Sequence, residues 1–155
     1  MYPAFIYSSR SLYQMCAIKY FRKEMRYPGV KSDKEQIFLT PASIMSRYED
    51  WLDPCPHPRP EGFDGLAIDW REKAFVNPPW GNLRPWVDKA LVESRKGCCV
   101  HMLLPAKPTT KVFQDVIFPT AEVQWIRGRV PYNCLRDGNT ICLESCLVKF
   151  TGVVK

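Results

Sequence analysis

An α/β fold, with a mostly parallel sheet and an antiparallel C-terminal strand, is what this sequence predicts. Three observations lead there. Short apolar runs alternate with helically spaced segments along the chain. Residues 98–104 are apolar without alternation and end at Pro105, the pattern of a parallel strand covered on both faces. Asp137-Gly138 then precedes the last apolar run, a hairpin signal that reverses the chain.

In chain order, residues 1–36 stand apart as a basic and aromatic arm, and residues 37–155 read as the globular domain. The arm interleaves Tyr13, Tyr20, Phe21 and Tyr27 with Lys19, Arg22, Lys23 and Arg26. Residues 11–25 suit a short helix with a basic face, either a solvated surface or a phosphate-contacting arm. Thr40-Pro41 opens a helix, with Thr as cap and Pro at the first position, and Ile44, Met45 and Tyr48 at helical spacing. Trp51-Leu52-Asp53 reads as a short strand that ends in the alternating prolines 54, 56 and 58. Gly62 and Gly65 mark turns, and residues 66–70 are a strand or a turn. Residues 73–76 form a strand, and residues 85–93 a helix that Gly97 stops. Thr109 or Thr110 starts a further helix through Val112, Phe113, Val116 and Ile117. Residues 122–126 make a strand ending at Arg127-Gly128-Arg129, and residues 145–150 the last one.

The chain has 155 residues, the size of one domain, and is 46% hydrophobic and 25% charged, as soluble globular proteins are. No run of about twenty apolar residues occurs, so no membrane span is expected. A formal net charge of +6 favours a polyanionic partner. Seven cysteines form no disulfide framework, which fits a reducing cytoplasm. Cys134, Cys142 and Cys146 hint at metal only weakly, because no Cys-x-x-Cys knuckle accompanies them, and no metal is expected.

The most informative stretch is Asn77-Pro78-Pro79-Trp80. Two prolines with fixed φ make a stiff extended turn where the strand ends. Ligands gather at the carboxyl ends of strands in open α/β sheets. There a side-chain amide oxygen and a proline carbonyl form a two-acceptor clamp for an exocyclic amine, with an aromatic face beside it. An ordinary turn with a locally bonded Asn is the plainer alternative.

Further segments occur in order: Leu39-Thr40-Pro41, Leu52-Asp53-Pro54-Cys55, Asp64-Gly65-Leu66 with Asp69-Trp70, Trp86-Val87-Asp88-Lys89-Ala90, Leu103-Leu104-Pro105 and Arg127-Gly128-Arg129. Together with the Asn77 corner, they make the chain resemble the phage-type DNA adenine-N6 methyltransferases, from about Phe38 to Phe150. The resemblance implies a Rossmann-like, S-adenosylmethionine-dependent methyltransferase fold acting on DNA. It implies that Asn77 and the Pro78 carbonyl accept from the target amine, with Pro79 stiffening the turn. Trp80 would stack on a flipped-out adenine. Asp53, with Pro54 after it, would sit near the cofactor's ammonium. Thr40 and Pro41 would lie near its carboxylate, and Asp64 at its adenosine end, with Asp69 the competitor. Asn77 would border the same cofactor.

The chain also departs from that pattern. The Phe-x-Gly-x-Gly loop of most methyltransferases is absent, with Asp53-Pro54-Cys55-Pro56 in its place, and Trp80 stands where Tyr or Phe is usual. With no separate target-recognition domain in view, DNA contact falls to Lys19, Arg22 and Lys23, to Lys107 and Lys111, and to Arg127 and Arg129. Specificity is then loose or needs a homodimer. The rival readings are a methyltransferase for RNA adenine or protein glutamine, and a nucleic-acid-binding module that has lost catalysis.

Overall fold

A computed structural model describes residues 38–135 and 137–152; the arm predicted over residues 1–36, with Lys19, Arg22 and Lys23, lies outside the described residues. Among the described residues five strands form one mixed sheet: β1 (Phe38–Leu39), β2 (Lys73–Val76), β3 (Cys99–Pro105), β4 (Glu122–Cys134) and β5 (Thr140–Phe150), in the spatial order β1-β4-β5-β3-β2. A short helix α1 (Ala42–Met45) follows β1. Helix α2 (Leu83–Arg95) joins β2 to β3, and a wide helical segment (Phe113–Ile117) runs into the single turn α3 (Phe118–Thr120) before β4.

The α/β class holds, but the mostly parallel sheet does not. Among the named strands of the described residues, β2 and β3 alone pair in parallel; β3–β5, β5–β4 and β4–β1 are all antiparallel. The reason is where the reversed strand lies. The chain leaves β4 through the Asp137-Gly138 turn, and β5 enters between β3 and β4 instead of adding to an edge. One inverted strand in the interior makes both of its neighbours antiparallel. Since both oppose β5, β3 and β4 run the same way, and β2 shares their direction.

Strand bounds shift for identifiable reasons. The predicted strand at Trp51-Leu52-Asp53 shrinks to one parallel bridge, Leu52 to Ala74, because Pro54 has no amide to continue the ladder. β4 does not stop at Ile126. The register slips between Trp125 and Arg129, where Gly128 takes φ +82°, and the strand then runs on to Cys134. A glycine at positive φ within a strand made a bulge where it had looked like an end. With β4 longer, β5 begins at Thr140 rather than Ser145.

Alternation along the strands divides the sheet into two faces. Ala74 and Val76, Val100, Met102 and Leu104, and Cys146, Val148 and Phe150 point together at Trp86, Val87 and Ala90 of α2 and at Phe113 and Ile117. This is the main core, and Trp86, Val87 and Ala90 give α2 the helical spacing that meets it. On the opposite face the Tyr48 ring stacks on Phe75, with centroids 4.1 Å apart, and the Tyr48 hydroxyl meets Nδ1 of His101 at 3.1 Å. Burial lowers the His101 pKa, so a neutral packing ring suits it. Among the described residues no helix is long and apolar enough to cross a membrane, and no three His, Cys, Asp or Glu residues lie together as metal ligands.

Candidate active site

The Asn77 corner sits at the carboxyl end of β2. Val76 faces the α2 core, so alternation carries Asn77 to the Phe75 side, and its residue is only 5% exposed. Pro78 and Pro79 are buried behind it, and the Pro79 carbonyl starts a tight turn by accepting from the Asn82 amide at 3.2 Å. The Asn77 side chain reaches the segment that leads into α1. Its Nδ2 donates to the Phe38 carbonyl at 2.8 Å and to Thr40 Oγ1 at 3.0 Å. Thr40 therefore does not cap α1, as its position had implied; Pro41 holds the cap position, and its carbonyl accepts from Ile44 and Met45.

Trp80 lies in an aromatic cluster. Phe38 stacks on it at 4.4 Å with planes 24° apart, and Tyr132 stands edge-on at 4.9 Å and 88°. Tyr132 is fully buried, its hydroxyl shares a 2.8 Å hydrogen bond with Ser145, and burial pushes its pKa up to about 12. The indole Nε1 of Trp80 is buried and has no hydrogen-bond acceptor among the described residues.

A cavity of about 200 Å³ opens beside the corner, lined by Phe38, Leu39, Thr40, Met45, Asp53, Cys55, His57 and Asn77. It brings together Thr40, Asp53 and Asn77, three positions that the sequence had marked on separate segments. Burial raises the Asp53 carboxyl above the ordinary carboxylate range, and the Cys55 amide, donating at 2.8 Å, opposes this. The same burial, with Asp53 beside it, pushes the Cys55 thiol up to about 12, so the thiol is inert.

Two other marked positions serve the loop more than the cavity. Pro54 is buried, and Gly65 packs on its carbonyl so closely that no side chain fits between them. Asp64 is exposed, is absent from the cavity lining, and accepts from the Leu66 amide at 3.0 Å as a turn residue does. Trp70 completes the brace, donating from its indole to the Gly65 carbonyl at 2.8 Å. Asp69 is ion-paired with Lys96 on the surface.

Lys107, Lys111, Arg127 and Arg129 are exposed, and the register sets Arg129 near the carboxyl end of β3, which Lys107 follows. Arg129 pairs with Glu144 in register, and the Glu144 carbonyl accepts from Ala106, next to Lys107. The Arg129 guanidinium also meets the Glu144 carboxylate at 2.9 Å. Phe38 and Tyr132 were not marked from sequence. Phe38, two residues before Thr40, carries no signal of its own, and Tyr132 falls beyond the strand end that Arg127-Gly128-Arg129 predicts.

No curated protein matches the chain. Among solved structures the chain is similar to a protein of Pyrococcus horikoshii described as a "putative RNA methyltransferase", with 18% identity and a TM-score of 0.44. That match covers 59% of this chain and 48% of the other, so the chain spans about half that protein's length. The family model for DNA N-6-adenine-methyltransferase (Dam) matches residues 54–142, more than half of the 155, and takes in the whole Asn77 corner. The chain therefore belongs to the DNA N-6-adenine-methyltransferase (Dam) family.

Proposed function

We propose that this protein transfers a methyl group from S-adenosylmethionine to the exocyclic N6 amine of adenine in DNA, on the Asn77-Pro78-Pro79-Trp80 corner. One observation supports this above the others. Nδ2 of Asn77 donates to both Phe38 and Thr40, which sets the amide's rotation and makes its oxygen the acceptor of the corner. An acceptor fixed in this way, with the Pro78 carbonyl next along the chain, suits an –NH2 group. Two such acceptors orient the amine and keep electron density on its nitrogen.

The cavity fits the methionine end of S-adenosylmethionine. A carboxylate (Asp53), a hydroxyl (Thr40) and an amide (Asn77) line it together with apolar Leu39 and Met45, as an amino-acid ligand with an apolar stem requires. Asp53 would take the ammonium and Thr40 the carboxylate. When bound, the cofactor supplies a methyl group on a cationic sulfonium. The protein's own work is then positioning: Asn77 and Pro78 orient the amine, and Trp80 holds the base plane. The amine's proton leaves to solvent water after transfer. The shared direction of β2, β3 and β4, with β5 inverted between the last two, supports a Rossmann-like methyltransferase sheet.

The charge of +6 favours nucleic acid over a protein glutamine as substrate. The test is labelled methyl transfer offered separately to DNA, RNA and protein, with N6-methyladenine identified in the digest. Transfer to DNA, abolished in Asn77→Ala while cofactor binding is weakened far less, is the expected result. An Asn77→Ala variant with unchanged turnover removes the assigned role, and transfer to RNA or protein alone replaces the substrate.

A further inference from the structure

The Asn77 amide is held by two acceptors of different kinds. One Nδ2 proton goes to the Phe38 carbonyl at 2.8 Å, and a carbonyl only accepts. The other goes to Thr40 Oγ1 at 3.0 Å, and a hydroxyl both accepts and donates. The first hold is permanent. The second lasts only while the Thr40 proton points away from Asn77. Helix α1 makes no claim on the hydroxyl, because Ile44 and Met45 donate to the Pro41 carbonyl instead. Among the described residues no acceptor for the Thr40 proton is seen, and Thr40 lines the same cavity as Asp53 and Asn77. Branching at Cβ restricts the Thr40 side chain, and Pro41 after it keeps its backbone extended.

Resting on the reading above, we propose that Thr40 is a positioning residue that couples the two halves of the site: its hydroxyl donates to the carboxylate of the cofactor's methionine end and is thereby left as a pure acceptor for Asn77. An anionic acceptor makes that O–H bond a strong one. An oxygen that donates strongly also accepts more strongly, so the bond from Asn77 Nδ2 tightens in turn. The amide is then polarised along its length, with more negative charge on Oδ1, the atom assigned to the target amine. Filling the cavity therefore prepares the clamp. By linkage the effect runs both ways, so the cofactor and a target adenine each raise the protein's affinity for the other.

Binding alone reads the coupling. Two short single-stranded probes are titrated with and without saturating S-adenosylhomocysteine: an oligodeoxyadenylate, and an oligothymidylate, whose bases carry no exocyclic amine. The wild type should bind the oligodeoxyadenylate about fivefold more tightly with S-adenosylhomocysteine than without, the low end of couplings between sites. Its affinity for the oligothymidylate should not change. Thr40→Val keeps the shape and removes the hydroxyl, and should lose the enhancement; Thr40→Ser should restore it. A threonine that only packs predicts the reverse, since valine matches its shape and serine does not. Enhancement retained in folded Thr40→Val overturns the proposal. A second ligand needs no variant. Decarboxylated S-adenosylhomocysteine keeps the ammonium and the nucleoside, and should bind the wild type without favouring the oligodeoxyadenylate over the oligothymidylate. A full adenine-specific enhancement with that ligand overturns the proposal. Wild-type protein that methylates DNA but shows no enhancement overturns the coupling alone. Wild-type protein that neither binds S-adenosylhomocysteine nor methylates any DNA overturns the proposed function, and the coupling with it.

Discussion

Gly65 lies against Pro54 so tightly that a Cβ at position 65 would stand 1.8 Å from the Pro54 carbonyl oxygen. Two segments eleven positions apart are thereby pressed together, and Trp70 clamps the nearer one from behind. The contact explains why Asp64-Gly65-Leu66 and Asp53-Pro54-Cys55 occur together in one chain: the first supports the second.

Replacing Gly65 by alanine should therefore displace the loop that carries Asp53. Overpacking of this kind typically costs about 1–3 kcal/mol. Here the obstacle is backbone, which cannot rotate away. The expected outcome is a lowered Tm together with loss of the thermal shift that the proposed function predicts for the wild type with S-adenosylmethionine. A Gly65→Ala protein with normal cofactor binding would separate this contact from the cavity.

Cofactor affinity should depend on pH through Asp53. Burial lifts its carboxyl above the ordinary range, so the folded chain keeps that proton at pH values where the unfolded chain has lost it. The stability this contributes is full below the unfolded pKa and fades as pH rises through the folded one. Binding has the opposite sign: an ammonium needs the ionised form. Calorimetric affinity for S-adenosylmethionine should rise as pH approaches the raised folded pKa of Asp53 and level off above it. Asp53→Asn should bind more weakly and lose that slope; an unchanged slope would place the titrating group elsewhere.

Glu93 is buried in α2 and accepts from the Trp70 amide at 3.1 Å, from Lys89 at 2.7 Å and from Lys96 at 2.9 Å. Burial alone would raise its pKa, but the hydrogen bonds from Lys89, Lys96 and Trp70 outweigh it, and the net shift is downward. A depressed carboxyl adds stability that is present above its unfolded pKa and is lost as pH falls through the folded one. Glu93→Gln should lower stability at neutral pH by roughly 1–3 kcal/mol, the cost of impairing a buried hydrogen-bonded acceptor. It should also flatten the acid side of the stability profile. Equal acid sensitivity in variant and wild type would argue against Glu93 as the group responsible.

What could be read from the sequence was local. The β2 strand, the stiff corner after it and α2 each carry their own signal: an apolar run, two fixed φ angles, a helical stripe ended by Gly97. What could not be read was pairing. Nothing near Thr140 says that β5 will enter between β3 and β4, because that choice is settled by contacts with residues some forty positions away. Gly128 carried a turn signal and formed a bulge, since a positive φ serves either, and this hid Tyr132 from the site. Thr40 carried a cap signal, but its hydroxyl met Asn77, thirty-seven positions on, which no local pattern encodes.

The basic rim offers a last prediction, on salt. Lys111, Arg127 and Arg129 are exposed, but they are not equivalent. Arg129 is already matched with Glu144 at 2.9 Å, both side chains being more than half exposed. A phosphate must compete with that carboxylate, whereas no ion pair to Arg127 or Lys111 is seen among the described residues. Each phosphate neutralised releases counterions and steepens the fall of affinity with salt by about 0.9 in log–log slope for B-DNA. Arg127→Ala and Lys111→Ala should each weaken DNA binding about equally for all sequences and reduce the slope by nearly one. Arg129→Ala should reduce it less, and Glu144→Gln should tighten binding by releasing Arg129. Filter-binding titrations at several salt concentrations measure all four. A loss confined to one DNA sequence in Arg127→Ala would make that residue a reader of bases, and an unchanged slope would place the phosphate path elsewhere on the protein.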